Sequence, residues 1–252
     1  MPKTIFITGA SSGIGLACAE KFAEKGYRLI LTARRKDKLQ EISNQLSQRY
    51  SSEILNLVFD VRDKQEVSNV VNSLPGNWSA VDVLINNAGL AVGLDSVHDG
   101  NTDDWERMID ANIKGLLYVS KALTPGMIKR MSGHIFNIGS IAAKDTYMKG
   151  GVYCGTKHAV DSITKAQRME LLPYNIKVTL INPGATDTEF SLVRFKGDEK
   201  AAKNVYKGFQ PLDGEDVAQC IYFCASRPAH VTINDMLIMP TAQASASVFH
   251  KD

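Results

Sequence analysis

The chain has 252 residues, of which 44% are hydrophobic and 22% charged, and its formal net charge is +2. That composition can bury a full core, and so small a charge points to neither nucleic acid nor a membrane surface as a partner. No stretch approaches the ~20 apolar residues of a spanning helix, and the first apolar run is too short for a signal peptide.

Apolar runs of strand length alternate with segments of helical period along the chain. Residues 4–8 read as a strand and 14–25 as a helix closed by Gly26. Residues 29–32, 54–59 and 81–85 are the next strands, with helices at 38–49 and 65–74 between them. A long helical segment covers 103–123. Strand 134–138, helix 152–171, strand 177–181, helix 215–225 and a short strand at 236–239 follow. Repeated strand–helix–strand units with apolar strands predict an α/β fold: a doubly wound parallel sheet of about seven strands, with helices on both faces. No linker divides the chain, so residues 1–252 read as one domain. Residues 185–212 break the rhythm as a polar, irregular insert of the kind that serves as a substrate lid.

Gly9-Ala10-Ser11-Ser12-Gly13-Ile14-Gly15 joins the first strand to the first helix. Its glycines permit a tight turn and a close backbone approach to a pyrophosphate, and the helix N-terminus offers N–H groups to that anion. The spacing is Gly-x-x-x-Gly-x-Gly, neither the usual dinucleotide fingerprint nor a P-loop. After the second strand, where an acidic residue would hold the ribose hydroxyls of NAD, the chain reads Arg34-Arg35-Lys36. Cations there suit a 2′-phosphate, so NADP(H) is the expected cofactor. Asp60 and Val61 end the third strand, and Asn87, Ala88 and Gly89 follow the fourth, at strand ends that face bound nucleotides. Asp60 could equally cap the next helix.

Tyr153 and Lys157 lie four apart and share a helical face. A nearby ammonium favours the phenolate, which would bring the tyrosine toward neutrality as a general acid or base. Ser140 ends the fifth strand, where it could hold the reacting oxygen. Of the four cysteines, Cys220 and Cys224 share a helical face but lack the flanking ligands of a zinc site. Cys18, Cys154, Cys220 and Cys224 therefore read as buried free thiols, with no metal expected, which suits a reducing, cytoplasmic setting.

Together the glycine loop, Asn86-Asn87-Ala88-Gly89, Asn112, Ser140, Tyr153 with Lys157, and Pro183-Gly184 with Thr188 resemble the short-chain dehydrogenase/reductase family of single-domain Rossmann enzymes. The resemblance implies that Tyr153 is the acid/base and that Ser140 orients the substrate oxygen. It implies that Lys157 binds the nicotinamide ribose and lowers the Tyr153 pKa, and that Asn112 holds a water in a proton relay. Pro183, Gly184 and Thr188 would embrace the nicotinamide. It also implies a homotetramer, with the helices carrying Asn112 and Tyr153 packed across one interface and the tail across another.

Residues 192–198 and the tail 234–243 look like those of NADP-dependent 3-hydroxy acid dehydrogenases acting on serine, allo-threonine or 3-hydroxypropionate. On that reading Arg194 meets the substrate carboxylate, with Lys196 the next cation along. Phe190 and Phe195 suit an apolar substrate instead, so a general carbonyl or ketosteroid reductase is the alternative. A non-catalytic NADP sensor would be expected to lack Ser140, Tyr153 or Lys157.

Overall fold

Strand β1 (Thr4–Thr8) is buried along its whole length, and its side chains divide between two cores. Ile5 and Ile7 face one, Phe6 the other. A strand covered on both sides has no polar face, which is why the run contains no alternation. The computed structural model describes residues 2–252. From β1 the chain passes through α1 (Gly13–Glu24), β2 (Arg28–Ala33), α2 (Lys36–Tyr50), β3 (Ile54–Val58), α3 (Lys64–Asn72) and β4 (Val83–Asn86). It then runs through α4 (Thr102–Ile109), α5 (Leu116–Arg130), β5 (Gly133–Ile138), α6 (Gly151–Leu171) and β6 (Ile176–Pro183). Last come α7 (Glu189–Arg194), α8 (Glu199–Asn204), α9 (Gly214–Ala225) and β7 (Asp235–Ile238).

All seven strands form one parallel sheet in the order β3-β2-β1-β4-β5-β6-β7. The chain reverses its winding between β1 and β4, so their carboxyl ends open a crevice where ligands of such sheets bind. One core packs Phe22 of α1 and Val217 and Ile221 of α9 against Ile7, Leu31 and Ile85. The other packs Val119, Leu123 and Met127 of α5 against Phe6, Ile30 and Leu84.

Two expectations are corrected. The helical segment expected at 103–123 is present but does not end at Leu123. A π-helical turn, Asp110–Gly115, joins α4 to α5, and α5 continues past Pro125 to Arg130. Tertiary packing overrides the local stop signal, because Met127 is fully buried beneath the sheet. The insert at 185–212 is not irregular either. It holds α7 and α8, and its two ends are stitched together: Leu212 N–H donates to Ala185 O at 3.0 Å and Asp187 N–H to Leu212 O at 2.8 Å. Among the described residues no helix is long and apolar enough to cross a membrane, and no cluster of His, Cys, Asp and Glu could hold a metal. All four cysteines are unpaired; Cys220 is only partly buried.

His134, in the middle of the sheet, makes the fold sensitive to acid. Its Nε2 lies 2.8 Å from Thr179 Oγ1, whose proton goes to Ile233 O at 2.7 Å. The ring nitrogen must therefore donate, so the neutral ring carries its proton on Nε2. Burial, then repulsion from Lys177 and Lys3, pushes the imidazole pKa down to about 3. Below its ordinary value near 6.5 the unfolded chain takes up a proton that the folded chain refuses until about pH 3. Stability should thus fall with pH across that window, by up to about 1.4 kcal/mol per pH unit from this residue. Urea unfolding at pH 6.5 and 4.5 checks it: His134→Gln, neutral at both, should lose less stability than the wild type, and equal losses would acquit His134.

Candidate active site

The crevice at the β1–β4 boundary opens into a cleft of about 630 Å³. The glycine loop forms one wall. Gly9 and Gly13 have φ of +67° and +53°, a region that L side chains avoid. Gly15 is needed for space: a Cβ there would lie 2.3 Å from Gly9 O and 2.5 Å from Asn87 Nδ2. Asn87 holds the loop, with Nδ2 donating to Thr8 O at 2.9 Å and Gly9 O at 3.2 Å. The N-terminus of α1 has no acidic residue in its first turn, and Ser12 does not cap it through its side chain. Its N–H groups are left for an anion.

At the far end of this wall stand Arg34 and Arg35, while Lys36 lies outside the cleft. Arg35 donates to Ser11 Oγ at 3.1 Å and pairs with Glu189 of α7 at 2.9 Å. Lys38 meets the same carboxylate at 2.6 Å. Arg34 stays largely exposed, 3.7 Å from Asp60. Asp60 is not the cap of α3, a role taken by Asp63. Its carboxylate is gripped by Arg62 through three contacts of 2.6–3.1 Å. Ser11, Ser12, Gly13, Ile14, Asp60, Val61, Asn87, Ala88 and Gly89 all line this end.

At the other end the cleft is lined by Ser140, Tyr153, Lys157, Pro183, Gly184 and Arg194, while Thr188 lines it beside Gly13. Ser140 Oγ accepts from Ala142 N–H at 3.1 Å, capping a short turn and leaving its own proton to donate. Tyr153 is buried, which pushes its phenol well above the ordinary range. Tyr147 adds to the rise, while the Ser140 hydroxyl and the Arg194 guanidinium pull the other way. Lys157 does share the helical face, but its Nζ donates to Ile138 O at 2.8 Å and lies 5.9 Å from the Tyr153 ring centroid. Burial pushes this lysine down to about 8. The expected lowering of Tyr153 by Lys157 is thus overridden here by desolvation, and the phenol stays protonated at neutral pH.

Asn112 sits in the π-helical turn and does not line the cleft. Its Nδ2 donates to Leu90 O at 2.9 Å and Thr156 Oγ1 at 3.0 Å, and its Oδ1 accepts from Leu90 N–H at 2.8 Å. Both amide protons are committed, so the side chain braces the Leu90 backbone to α6. Thr188 caps α7 and packs on Gly13, 3.1 Å from where a Cβ would stand. Arg194 donates to the Tyr147 hydroxyl at 2.9 Å and lies 5.7 Å from the Tyr153 ring centroid. Its Nε is buried without a hydrogen-bond partner. Lys196, the next cation along, is taken up by Asp104 at 2.6 Å.

Sequence reasoning missed Arg62, Tyr147, Glu189 and Gln243. Gln243 reaches from the tail to accept from Ala185 N–H at 2.7 Å. An aromatic six residues before Tyr153 was the available signal for Tyr147, and a cation two residues after Asp60 was the signal for Arg62; Glu189 and Gln243 act across long sequence separations and left none.

The fold, the glycine loop and the Ser140–Tyr153–Lys157 group define the class. A family model described as short chain dehydrogenase matches residues 3–198, and the chain belongs to that family. Among its relatives, NADP-dependent 3-hydroxy acid dehydrogenase of Schizosaccharomyces pombe is 44% identical over 246 residues, 97% of this chain and 95% of that one. NADP-dependent 3-hydroxy acid dehydrogenase YdfG of Salmonella typhimurium is 41% identical over 245 residues, 97% of each chain. The closed form of a serine dehydrogenase complexed with NADP+ superposes with a TM-score of 0.92 at 39% identity, covering 99% of this chain and all of that one (100%).

Proposed function

We propose that this chain is an NADP-dependent oxidoreductase that moves a hydride between the nicotinamide and the alcohol or carbonyl carbon of a small 3-hydroxy acid, of the serine, allo-threonine or 3-hydroxypropionate type. Arg194 is the observation that carries the substrate class. It presents a guanidinium beside Tyr153, makes no ion pair among the described residues, and has one buried N–H without a partner. A carboxylate supplies both the charge and the acceptor that this fork lacks. The names of the relatives point the same way.

The residues present fit the cofactor: Gly15 allows the loop its close approach, the α1 terminus is uncapped, and Arg34 and Arg35 flank the adenosine end. NADP(H), when bound, supplies or takes up the hydride. The protein moves the proton. In reduction the protonated Tyr153 gives its proton to the carbonyl oxygen, while Ser140 Oγ–H donates to the same oxygen and holds it in place. In oxidation Tyr153 must first give up its proton, and the phenolate then accepts the proton of the alcohol. Lys157, with a pKa near 8, can hand a proton on close to neutrality. Asn112 supports this end by bracing α6, and any part in a water relay falls to groups other than its amide protons. The flap at 185–212 covers the substrate. Leu117, Met169 and Leu172 leave apolar side chains exposed on the two helical segments that carry Asn112 and Tyr153, which supports a homotetramer. Four unpaired thiols suit the cytoplasm.

Three measurements test the reading. Tyr153→Phe should lower kcat by on the order of a hundredfold or more and leave the NADPH Kd, read by fluorescence titration, near wild type. A variant with intact kcat would remove Tyr153 from the chemistry. Arg34→Ala with Arg35→Ala should shrink the preference for NADP over NAD about ten- to a hundredfold, as expected for lost charge-assisted contacts; an unchanged ratio would place the 2′-phosphate elsewhere. Finally, kcat/KM for a 3-hydroxy acid relative to its methyl ester should fall in Arg194→Ala. If the wild type itself prefers the ester, the general carbonyl reductase reading, with Phe190 packed 5.7 Å from the Tyr153 ring, takes its place.

A further inference from the structure

Behind the cleft, Ser140 is tied to a chain of polar groups that the proposed chemistry does not use. Its backbone N–H donates to Asn182 Oδ1 at 3.1 Å. Asn182, near the end of β6, is fully buried, and its Nδ2 donates to Asp235 Oδ1 at 2.9 Å. The other oxygen of Asp235, the first residue of β7, accepts from Lys144 Nζ at 2.5 Å. The same ammonium reaches Asp161 Oδ1 on α6 at 2.8 Å. Lys144 belongs to the segment that follows Ser140, and Asp161 to the helix that carries Tyr153. One lysine thus ties together the two stretches that present the reacting side chains.

The polarity of this chain matters more than its length. The two ends of an asparagine amide are nearly alike in shape and opposite in hydrogen-bonding sense. If Nδ2 faced Ser140, two donors would meet and the serine backbone would be pushed away. A carboxylate accepts hydrogen bonds and gives none, so Asp235 compels Asn182 to turn Nδ2 outward and Oδ1 toward Ser140. The contact is also tight: a Cβ on Gly139 would come within 2.1 Å of Asn182 Oδ1. The Gly139–Ser140 peptide is seated directly on that oxygen.

We infer that Asn182 and Asp235 are positioning residues for the proposed reaction: Asp235 sets the sense of the Asn182 amide, and Asn182 Oδ1 fixes the backbone from which the Ser140 hydroxyl is aimed. The inference rests on Ser140 holding the substrate oxygen. Neither residue touches the cleft, so both act through Ser140.

Asp235→Asn is nearly isosteric and removes the compulsion, since an amide can face Asn182 with either end. In this variant kcat should fall about tenfold, the effect of one misdirected hydrogen bond to a charged partner, while the NADPH Kd and the melting temperature stay close to wild type. Independently of turnover, hydrogen–deuterium exchange at the Ser140 amide, read by NMR, should accelerate about tenfold or more for the same reason. The exchanged pair Asn182→Asp with Asp235→Asn puts the acceptor under Ser140 and a donor opposite it, and should restore both exchange protection and most of kcat. Asn182→Asp alone sets two carboxylates face to face and should lose both. Unchanged Ser140 exchange in Asp235→Asn would overturn the proposal. So would faster exchange with an undiminished kcat, or a swap that restores neither. A wild type with no NADP-linked turnover would instead refute the proposed reaction, and the exchange measurements would still decide whether Asp235 orients Asn182.

Discussion

The site depends on a small junction where β1 and β4 part. Thr8 Oγ1 donates to Ile85 O and accepts from two backbone N–H groups, those of Asn87 and Ala88, at 3.0 and 2.9 Å. In return the Asn87 amide caps the carbonyls of Thr8 and Gly9. Parallel strands that diverge leave unpaired backbone groups at the fork, and such groups must find partners or be hydrated. Here side chains of the two strands satisfy each other. That keeps the fork dry enough to be rigid and open enough to admit a ligand. Gly15 can then pack against Gly9 O, α1 starts where the loop needs it, and the floor of the cleft is set.

Desolvation governs the electrostatics above that floor. Burial raises Tyr153 and lowers Lys157, so a single cause drives both toward the neutral form. The tyrosine expected to be drawn toward neutrality stays a phenol, and the lysine beside it is an ammonium that gives up its proton more readily than usual. That arrangement suits the proton delivery proposed for Tyr153.

Much of this was legible in the sequence because it depends on local pattern. Strands buried on both faces read as unbroken apolar runs, the glycine loop has few other uses between a strand and a helix, and Tyr153 and Lys157 lie one turn apart. What escaped was long-range. Nothing near Arg35 announces that Glu189, 154 residues further on, will pair with it. Pro125 signals a helix end locally, yet buried Met127 holds the helix together beyond it. The planar guanidinium of Arg194 favours it over Lys196 in the sequence, but that Lys196 is taken up by Asp104, far back in the chain, was not legible there. The Tyr153 pKa went the same way: spacing gives the neighbour, but only packing gives the dielectric.

The stitched neck of the flap bears on how such enzymes diversify. Because Ala185, Asp187 and Leu212 are hydrogen-bonded to one another, everything between them is an excursion that leaves the sheet and returns to the same point. Changes in its length cost little in loop-closure entropy, which grows only slowly with the number of residues enclosed. The excursion carries Arg194 and Phe190, while Ser140, Tyr153 and Lys157 belong to the scaffold below. Inheritance can therefore treat the two parts separately. A lineage can trade one excursion for another, while the scaffold with the proposed proton-moving group passes on unaltered.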